Sequence, residues 1–208
     1  MAKQSDAIPK RKANTPARLA LFGGSFDPVH CAHLEVARCA LKQAELDRVI
    51  FVPTSQSPLK SNKPVSGDTL RVQMLNLAIK EEANFEVSTY EIEQGGVNYT
   101  IDTVLHFQAH YENAEFFLII GGDQFEQLER WYRIHELARR VTFLVYPRSD
   151  ASDTPLNSVA NISYCEIKAP LMEISSTLIR KRCKEGLSLK GLAPDAVEAF
   201  IFSHKLYR

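Results

Sequence analysis

Short continuous runs of apolar residues alternate along the chain with segments in which apolar residues recur every three or four positions. The runs are typical of strands buried on both faces, and the spaced segments are typical of amphipathic helices. The segments predicted to be strands are 19–22, 49–52, 85–92, 116–120, 141–146 and 162–167. Helices are predicted between them, and Ser175 and Pro194 each open a further helix. Strands that alternate with helices predict an α/β fold with a doubly wound, mostly parallel sheet of about six strands and helices on both faces.

The helix predicted to begin near residue 68 illustrates the periodicity. Apolar residues recur at helical spacing and predict a buried face, which consists of Leu70, Met74, Leu77 and Ala78. Arg71 lies off this face, and Ser66 or Asp68 is expected to cap the helix.

The first strand is followed by Gly23 and Gly24, which we expect to end it and to let the backbone turn sharply. Asp27 then has the properties of an N-cap, and Pro28 those of a first helical residue. A strand, a glycine turn and a helix N-terminus form an anion site, because free N–H groups and the helix dipole point at the same place.

Two histidines follow this turn, His30 and His33. They are three residues apart, so they are expected to share one face of the first helical turns, and two imidazoles beside an anion site favour phosphate chemistry. The chain has neither the third glycine of a dinucleotide-binding fingerprint nor the G-K-[ST] of a Walker loop. With nearby Cys31, the histidines supply fewer ligands than a zinc site usually needs. A plain β–α turn with two histidines at a helix start remains the alternative.

A second candidate phosphate element is the segment ISSTLIR, residues 174–180. Ser175 can cap a helix whose first amides are unpaired donors, and Arg180 lies three residues beyond Thr177, on the same face. Hydroxyls and an arginine fork at a helix start can hold a polyphosphate. The alternative is a capped amphipathic helix with basic residues on its surface.

The composition limits the class of protein. The 208 residues contain 25 Lys and Arg and 25 Asp and Glu, so the charge balance argues against a general nucleic-acid or membrane-surface binder. The four cysteines form no C-x-x-C pair and fit a reducing cytoplasm. We expect a basic, disordered tail over residues 1–17 and a single domain over residues 18–208, with no membrane-spanning segment. The sequence leaves open whether the chain forms a homo-oligomer.

The motif GGSFDPVHCAH, residues 23–33, resembles the signature G-x-F-x-P-x-H-x-G-H of the nucleotidyltransferase superfamily. It is most similar to the bacterial nicotinate-mononucleotide adenylyltransferases, with Ala32 where that family usually has glycine. Ser175, Thr177 and Arg180 match the second signature of the superfamily, S-x-T-x-x-R.

Three further segments are similar to the narrower family. VPTSQSPLK resembles its V-P-x-x-x-P-P-H-K loop, with Lys60 in place but with Ser57 and Leu59 at the first proline of its pair and at the histidine. NYTIDT, residues 98–103, resembles its S-Y-T-x-x-T segment, and IGGD followed by RWY resembles its I-G-x-D and W-Y pair.

The resemblance implies a Rossmann-like nucleotidyltransferase fold and an enzyme that transfers the adenylyl group of ATP to nicotinate mononucleotide. It assigns catalysis to His30, His33 and Arg180. The residues it places at ATP or its phosphates are Gly23, Gly24, Ser25, Phe26, Lys60, Asp123, Ser175, Thr177 and Arg180. Those it places at the mononucleotide are Tyr99, Thr100, Trp131 and Tyr132.

The resemblance also implies how the metal arrives. Mg²⁺ is expected to arrive with ATP, and no protein metal site is expected.

The same resemblance leaves some alternatives open. The acceptor could instead be nicotinamide mononucleotide or phosphopantetheine, although the W-Y pair and the NYT segment favour a pyridine nucleotide. A nucleotide-binding regulator without turnover is the alternative from another class.

Overall fold

The computed structural model describes residues 3–4, 16–56, 64–146 and 159–208. Its strands are β1 (Lys3–Gln4), β2 (Arg18–Gly24), β3 (Arg48–Pro53), β4 (Phe85–Val87), β5 (Glu115–Gly121), β6 (Thr142–Tyr146) and β7 (Ser163–Glu166). They form one sheet in the order β1-β7-β6-β5-β2-β3-β4. The pairs β1·β7, β2·β5, β5·β6 and β6·β7 are parallel. The predicted α/β fold is therefore confirmed, with β1 as an additional short strand.

Helices occupy most of the predicted segments. They are α1 (Cys31–Gln43), α2 (Asp68–Ala78), α3 (Tyr90–Gln94), α4 (Thr100–His110), α5 (Gly122–Phe125), α6 (Ile134–Leu137), α7 (Ser176–Lys184) and α8 (Asp195–Ser203), with a 3₁₀ helix at Leu128–Arg130. None of the helices in the described residues is long and apolar enough to cross a membrane.

By its internal contacts the chain divides into two compact units. The first unit is Met1–Phe22, Val36–Ile50 and Tyr99–Leu171. The second unit is Gly23–Glu35, Phe51–Asn98 and Met172–Arg208. The single domain expected over residues 18–208 stays a prediction.

The first unit is organised around β5, whose apolar run is buried as the pattern predicts. Residues 116–120 are each no more than 5% exposed. Arg18 of β2 donates to Glu115 of β5 (Nη1–Oε2 3.0 Å) and lies over the ring of Phe117. Burial of such large apolar side chains contributes about 1.5–3 kcal/mol each.

Within the tail predicted to be disordered over residues 1–17, Lys3 and Gln4 form β1, and the disorder of the tail stays a prediction. These two residues pair with Ser163 and Tyr164 of β7. Residues 1–2 and 5–15 lie outside the described residues.

The strand predicted over 85–92 is wrong in its second half. Only Phe85–Val87 form β4, and Tyr90–Gln94 form α3. The Ser88 N–H still donates to the carbonyl of Phe51, and the Glu93 N–H then donates to the carbonyl of Thr89. Helix formers such as glutamate and glutamine outweigh a short alternation of apolar residues here.

The buried face of α2 also differs from the prediction. It consists of Arg71, Met74 and Leu75, so the arginine expected on the outside is fully buried. The N-cap is Gly67 rather than Ser66 or Asp68. The carboxylate of Asp68 instead bonds the guanidinium of Arg71. The buried face is rotated because the two Nη atoms of this arginine find acceptors inside the unit.

Candidate functional site

The turn after β2 begins later than the sequence predicts. Gly23 and Gly24 are still part of β2, and the chain reverses at Phe26, which has a φ of 46°, and at the cis peptide between Asp27 and Pro28. A Cβ atom on Gly24 would lie 3.0 Å from the ring of Phe26, whereas one on Gly23 would meet nothing within 4 Å. A side chain at position 24 would therefore force the ring of Phe26 to shift by a few tenths of an ångström, whereas Gly23 leaves open space above the strand end.

Phe26 is a core residue rather than an exposed part of the site. Its side chain is 2% exposed, and its ring meets the rings of His33 and Phe51 edge to face, with centroids 5.0 and 5.6 Å apart. A left-handed φ at a phenylalanine costs about 1–2 kcal/mol. The packing on His33 and Phe51 offsets that strain, so Phe26 acts on the site by supporting His33.

Asp27 and Pro28 do not begin a helix, because α1 starts at Cys31. The carboxylate of Asp27 accepts hydrogen bonds from the Val65 N–H (2.6 Å), the Ser66 N–H (3.3 Å) and the Tyr207 hydroxyl (2.6 Å). The predicted N-cap role is therefore wrong. Partners far along the chain use the oxygens that a cap would use, and sequence spacing cannot reveal them.

The two histidines share one face, as predicted. Their rings are stacked, with centroids 3.6 Å apart and an angle of 21° between the planes. The His30 N–H donates to Nδ1 of His33 (3.3 Å), so a neutral His33 carries its proton on Nε2. His30 is buried and His33 is half-buried. This arrangement makes Nε2 of His33 an oriented hydrogen-bond donor.

The start of α1 offers fewer free amides than an isolated helix would. The Cys31 N–H donates to the carbonyl of Leu192 (2.9 Å), and the N–H groups of His33 and Leu34 donate to the carbonyl of His30. Within the described residues, the Ala32 N–H is the amide of this turn that has no acceptor. Ala32 is the position where the chain departs from the family signature. Its N–H is therefore the free donor at the positive end of the helix dipole of α1.

The second predicted element, α7, contacts this turn directly. Ser175 is its N-cap and accepts from the Leu178 N–H (3.1 Å), as predicted. The Ser176 hydroxyl donates to the carbonyl of Pro28 (2.8 Å). Arg180 donates from Nη1 to the carbonyl of Asp27 (2.7 Å) and from Nη2 to Oγ1 of Thr177 (3.1 Å). The structure thus brings together the two elements that the sequence placed 140 residues apart or more, and it adds Ser176, which the motif did not single out.

Arg71 is a further residue of this region that the sequence analysis missed. Its side chain is fully buried and donates to the carbonyls of Ser25 (2.7 Å) and Thr54 (2.8 Å). One guanidinium therefore joins the turn after β2 to the segment after β3, where Lys60 was predicted to act. Lys60 itself, with Ser57 and Leu59, lies outside the described residues. The signal available in the sequence was an aspartate three residues before an arginine at a helix start.

The residues predicted for the mononucleotide are grouped in the first unit. Tyr99 is the N-cap of α4 and Thr100 is its first residue. The rings of Tyr99 and Tyr132 are tilted against each other, with centroids 4.5 Å apart, and both side chains are exposed. Trp131 is half-buried, and its Nε1 is buried with no acceptor among the described residues. Aromatic surface and an unbonded indole N–H lie beside each other in the chain.

An ion pair supports this group. Arg133 donates to Asp102 in the first turn of α4 (3.4 Å) and to Glu136 of α6 (2.6 Å). The hydrogen bond from Arg133 holds the pKa of the half-buried Glu136 below its usual value. The N-terminus of α4 favours anions. Because the positive charge of Arg133 offsets the negative charge of Asp102, Asp102 does not cancel that preference.

Asp123 occupies the first turn of the four-residue helix α5 and is exposed. The N–H of Gly121 donates to Oε1 of Gln124 (3.3 Å), which closes this turn. In the ranges that the structure describes, no three His, Cys, Asp or Glu side chains form a group that could hold a metal ion.

Comparison with known proteins supports the resemblance seen in the motifs. Residues 21–182 match the model of the family described as cytidylyltransferase-like. A protein of Methylacidiphilum infernorum is 41% identical over 94% of this chain and 95% of its own length. One from Staphylococcus epidermidis is 40% identical over 91% of this chain and 97% of its own length. Both carry the name "Probable nicotinate-nucleotide adenylyltransferase".

Solved structures agree in fold. The nicotinic acid mononucleotide adenylyltransferase of Plasmodium falciparum, complexed with APC, superposes with a TM-score of 0.75 at 17% identity, over 92% of this chain and 97% of its own. The same protein complexed with NaAD gives a TM-score of 0.72. The Rossmann-like nucleotidyltransferase fold is thereby confirmed. With relatives about 40% identical along nearly its whole length, the chain belongs to the cytidylyltransferase-like family and, within it, to the nicotinate-nucleotide adenylyltransferases.

Proposed function

We propose that the chain transfers the adenylyl group of ATP to the 5′-phosphate of nicotinate mononucleotide, which yields nicotinate adenine dinucleotide and pyrophosphate for NAD biosynthesis. The observation that carries the proposal is the contact between α7 and the turn after β2, through Arg180 on Asp27 and Ser176 on Pro28. It places an arginine and a capped helix start beside two stacked histidines within one unit. Family membership supports the same reaction.

The chemistry needs positioning more than proton transfer. An oxygen of the mononucleotide phosphate attacks the α-phosphorus of ATP, a new P–O bond forms, and the bond to the bridging oxygen of pyrophosphate breaks. The nucleophile is already an anion at neutral pH, so no general base is required. The protein has to align two anions that repel each other and to stabilise the charge that develops on pyrophosphate.

The residues of the second unit fit that task. His33 donates from Nε2 to an ATP phosphate oxygen, and the buried His30 holds it in place. Among the described residues, Arg180 donates two of its five N–H groups, to Asp27 and Thr177, so the other three are available for the β- and γ-phosphates. Thr177 and the amides that follow Ser175 add uncharged donors. A Cβ atom on Gly23 would meet nothing within 4 Å, and this open space lets the nucleotide approach the strand end.

The acceptor is assigned to the residues of the first unit. Thr100 and the first amides of α4 are donors for the nicotinate carboxylate, and the helix dipole favours the same anion. Trp131 and Tyr132 supply aromatic surface for the pyridine ring. The Plasmodium relative has been solved with NaAD, which supports a pyridine dinucleotide as the product.

Mg²⁺ enters as part of the substrate, bound to ATP, since magnesium at such sites is held largely by phosphate and water. Lys60 would add a positive charge from its loop. A cytoplasmic location, in keeping with the free cysteines of the described residues, belongs to the same proposal.

Pyrophosphate release with ATP and a panel of acceptors tests the proposal. The wild-type chain is incubated with MgATP and, in turn, nicotinate mononucleotide, nicotinamide mononucleotide and phosphopantetheine. We expect release and a dinucleotide product with the first acceptor above the other two. Highest turnover with phosphopantetheine, or none with any acceptor while ATP still binds, would overturn it.

A further inference from the structure

The carboxylate of Asp27 is held in a buried site by three donors. Its side chain is 3% exposed. The Val65 N–H bonds Oδ2 at 2.6 Å, the Ser66 N–H lies 3.3 Å from both oxygens, and the Tyr207 hydroxyl bonds Oδ1 at 2.6 Å. A buried carboxylate needs such donors, because without them the free-energy cost of removing it from water is not compensated.

The donor most distant in sequence is Tyr207, 180 residues after Asp27. Tyr207 is 7% exposed and has a φ of 61°. The segment that carries Tyr207 is hydrogen-bonded to α8, because the Leu206 N–H donates to the carbonyl of Ile201 (3.0 Å). Burial and the bond to Asp27 raise the pKa of Tyr207 far above its usual value, so the hydroxyl keeps its proton and acts as the donor.

The backbone of Asp27 orients the arginine proposed to bind phosphate. Its carbonyl accepts from Nη1 of Arg180 (2.7 Å), and the next carbonyl, that of Pro28, accepts from the Ser176 hydroxyl (2.8 Å). The side chain of Asp27 thus faces Tyr207 while its main chain faces α7. A shift of Asp27 would move the acceptor that fixes the guanidinium.

We propose that Tyr207 is a positioning residue for adenylyl transfer: by holding the carboxylate of Asp27, its hydroxyl fixes the turn whose carbonyl orients Arg180. The role goes through Asp27, and Tyr207 is not assigned any contact with the substrates. The inference rests on the proposed function, because it assumes that Arg180 binds the ATP phosphates.

The test compares Tyr207→Phe with Tyr164→Phe. Both substitutions remove one hydroxyl from a tyrosine that is 7% exposed, but Tyr164 lies in β7 of the first unit. In Tyr207→Phe we expect kcat/KM for ATP and the affinity for inorganic pyrophosphate to fall roughly 10-fold or more, because small misplacements of a binding group are costly. KM for nicotinate mononucleotide should stay within about 2-fold, since its proposed residues lie in the first unit. Tyr164→Phe should change none of the three.

A second variant tests the route through Asp27. If Tyr207 acts through the carboxylate, the double variant Asp27→Asn with Tyr207→Phe should bind pyrophosphate about as well as Asp27→Asn alone. Losses that add would overturn the proposal. So would a Tyr207→Phe variant whose Tm falls while the folded enzyme keeps its KM for ATP and its affinity for pyrophosphate.

The two proposals fail differently. If the wild-type chain makes no dinucleotide, the proposed function fails. Calorimetric titration with pyrophosphate, which needs no turnover, still decides whether Tyr207 positions the phosphate-binding arginine.

Discussion

The imidazole of His33 lies against that of His30, with ring centroids 3.6 Å apart, and its Nδ1 accepts the backbone N–H of His30. The ring of Phe26 also meets it edge to face, with centroids 5.0 Å apart. These contacts leave one orientation for the ring, with the proton of the neutral form on Nε2. A donor that is fixed before substrate binds needs little reorganisation free energy during the reaction, and electrostatic catalysis requires such preorganisation.

Replacing His33 with alanine should lower kcat by about 100-fold or more, the scale for loss of one preorganised donor to a developing charge. Steady-state rates of pyrophosphate release measure this. His110→Ala is the control, because His110 is an exposed histidine at the end of α4. Near-normal turnover of His33→Ala would remove this residue from the mechanism.

Arg180→Ala should weaken the binding of ATP and pyrophosphate while the fold survives. The guanidinium is half-buried, and among the described residues its two Nη atoms bond Asp27 and Thr177, so its loss affects the phosphate site more than the core. Arg180→Lys should rescue partly, since an ammonium cannot make a two-point contact. Lys181→Ala is the matched control, because the side chain of Lys181 on the same helix is 70% exposed. Unchanged kcat and KM for ATP in Arg180→Ala would refute the assignment.

Arg71→Met should destabilise the protein by about 3 kcal/mol, because it leaves two carbonyls and the carboxylate of Asp68 without their donor. For a chain of this size that corresponds to a fall in Tm of roughly 6–12 °C. Arg140→Met is the control, since Arg140 is an exposed residue paired with Glu136 and should cost under about 1 kcal/mol. Thermal unfolding of both variants measures the difference, and equal values would show that the buried guanidinium contributes no more than a surface one.

The enzyme should prefer nicotinate mononucleotide over its amide. The carboxylate accepts on both oxygens, whereas the amide turns an NH₂ donor toward the donors of Thr100 and α4. One unpaired buried group costs about 1–3 kcal/mol, or about 5-fold to 150-fold in kcat/KM. Thr100→Ala should narrow this gap, and Trp131→Ala should raise KM for both acceptors in similar proportion. Equal kcat/KM for the two acceptors in the wild type would contradict this assignment of the carboxylate site.

The apolar runs and helical spacings were enough to predict β2, β3, β5, β6 and β7 and the helices that begin after Ser175 and Pro194, because burial of apolar side chains decides those elements. The motifs also predicted that His30 and His33 share a face. What they could not predict is which polar group meets which. Asp27 has the spacing of an N-cap, yet Tyr207, Val65 and Ser66 bond its carboxylate.

Arg71 shows the same limit. Periodicity assigns a charged residue to the solvent, and only the three-dimensional fold supplies the carbonyls of Ser25 and Thr54 that make its burial favourable. Long-range hydrogen bonds of this kind leave no periodic trace in the sequence.

The close approach of Gly24 to Phe26 also restricts which substitutions position 24 can accept. A methyl group at position 24 would lie 3.0 Å from the ring of Phe26, which also packs edge to face with His33. An alanine there would require the buried ring of Phe26 to shift by a few tenths of an ångström, and such a shift would change its contact with His33. The residue at position 24 and the orientation of His33 are thereby coupled through the ring of Phe26.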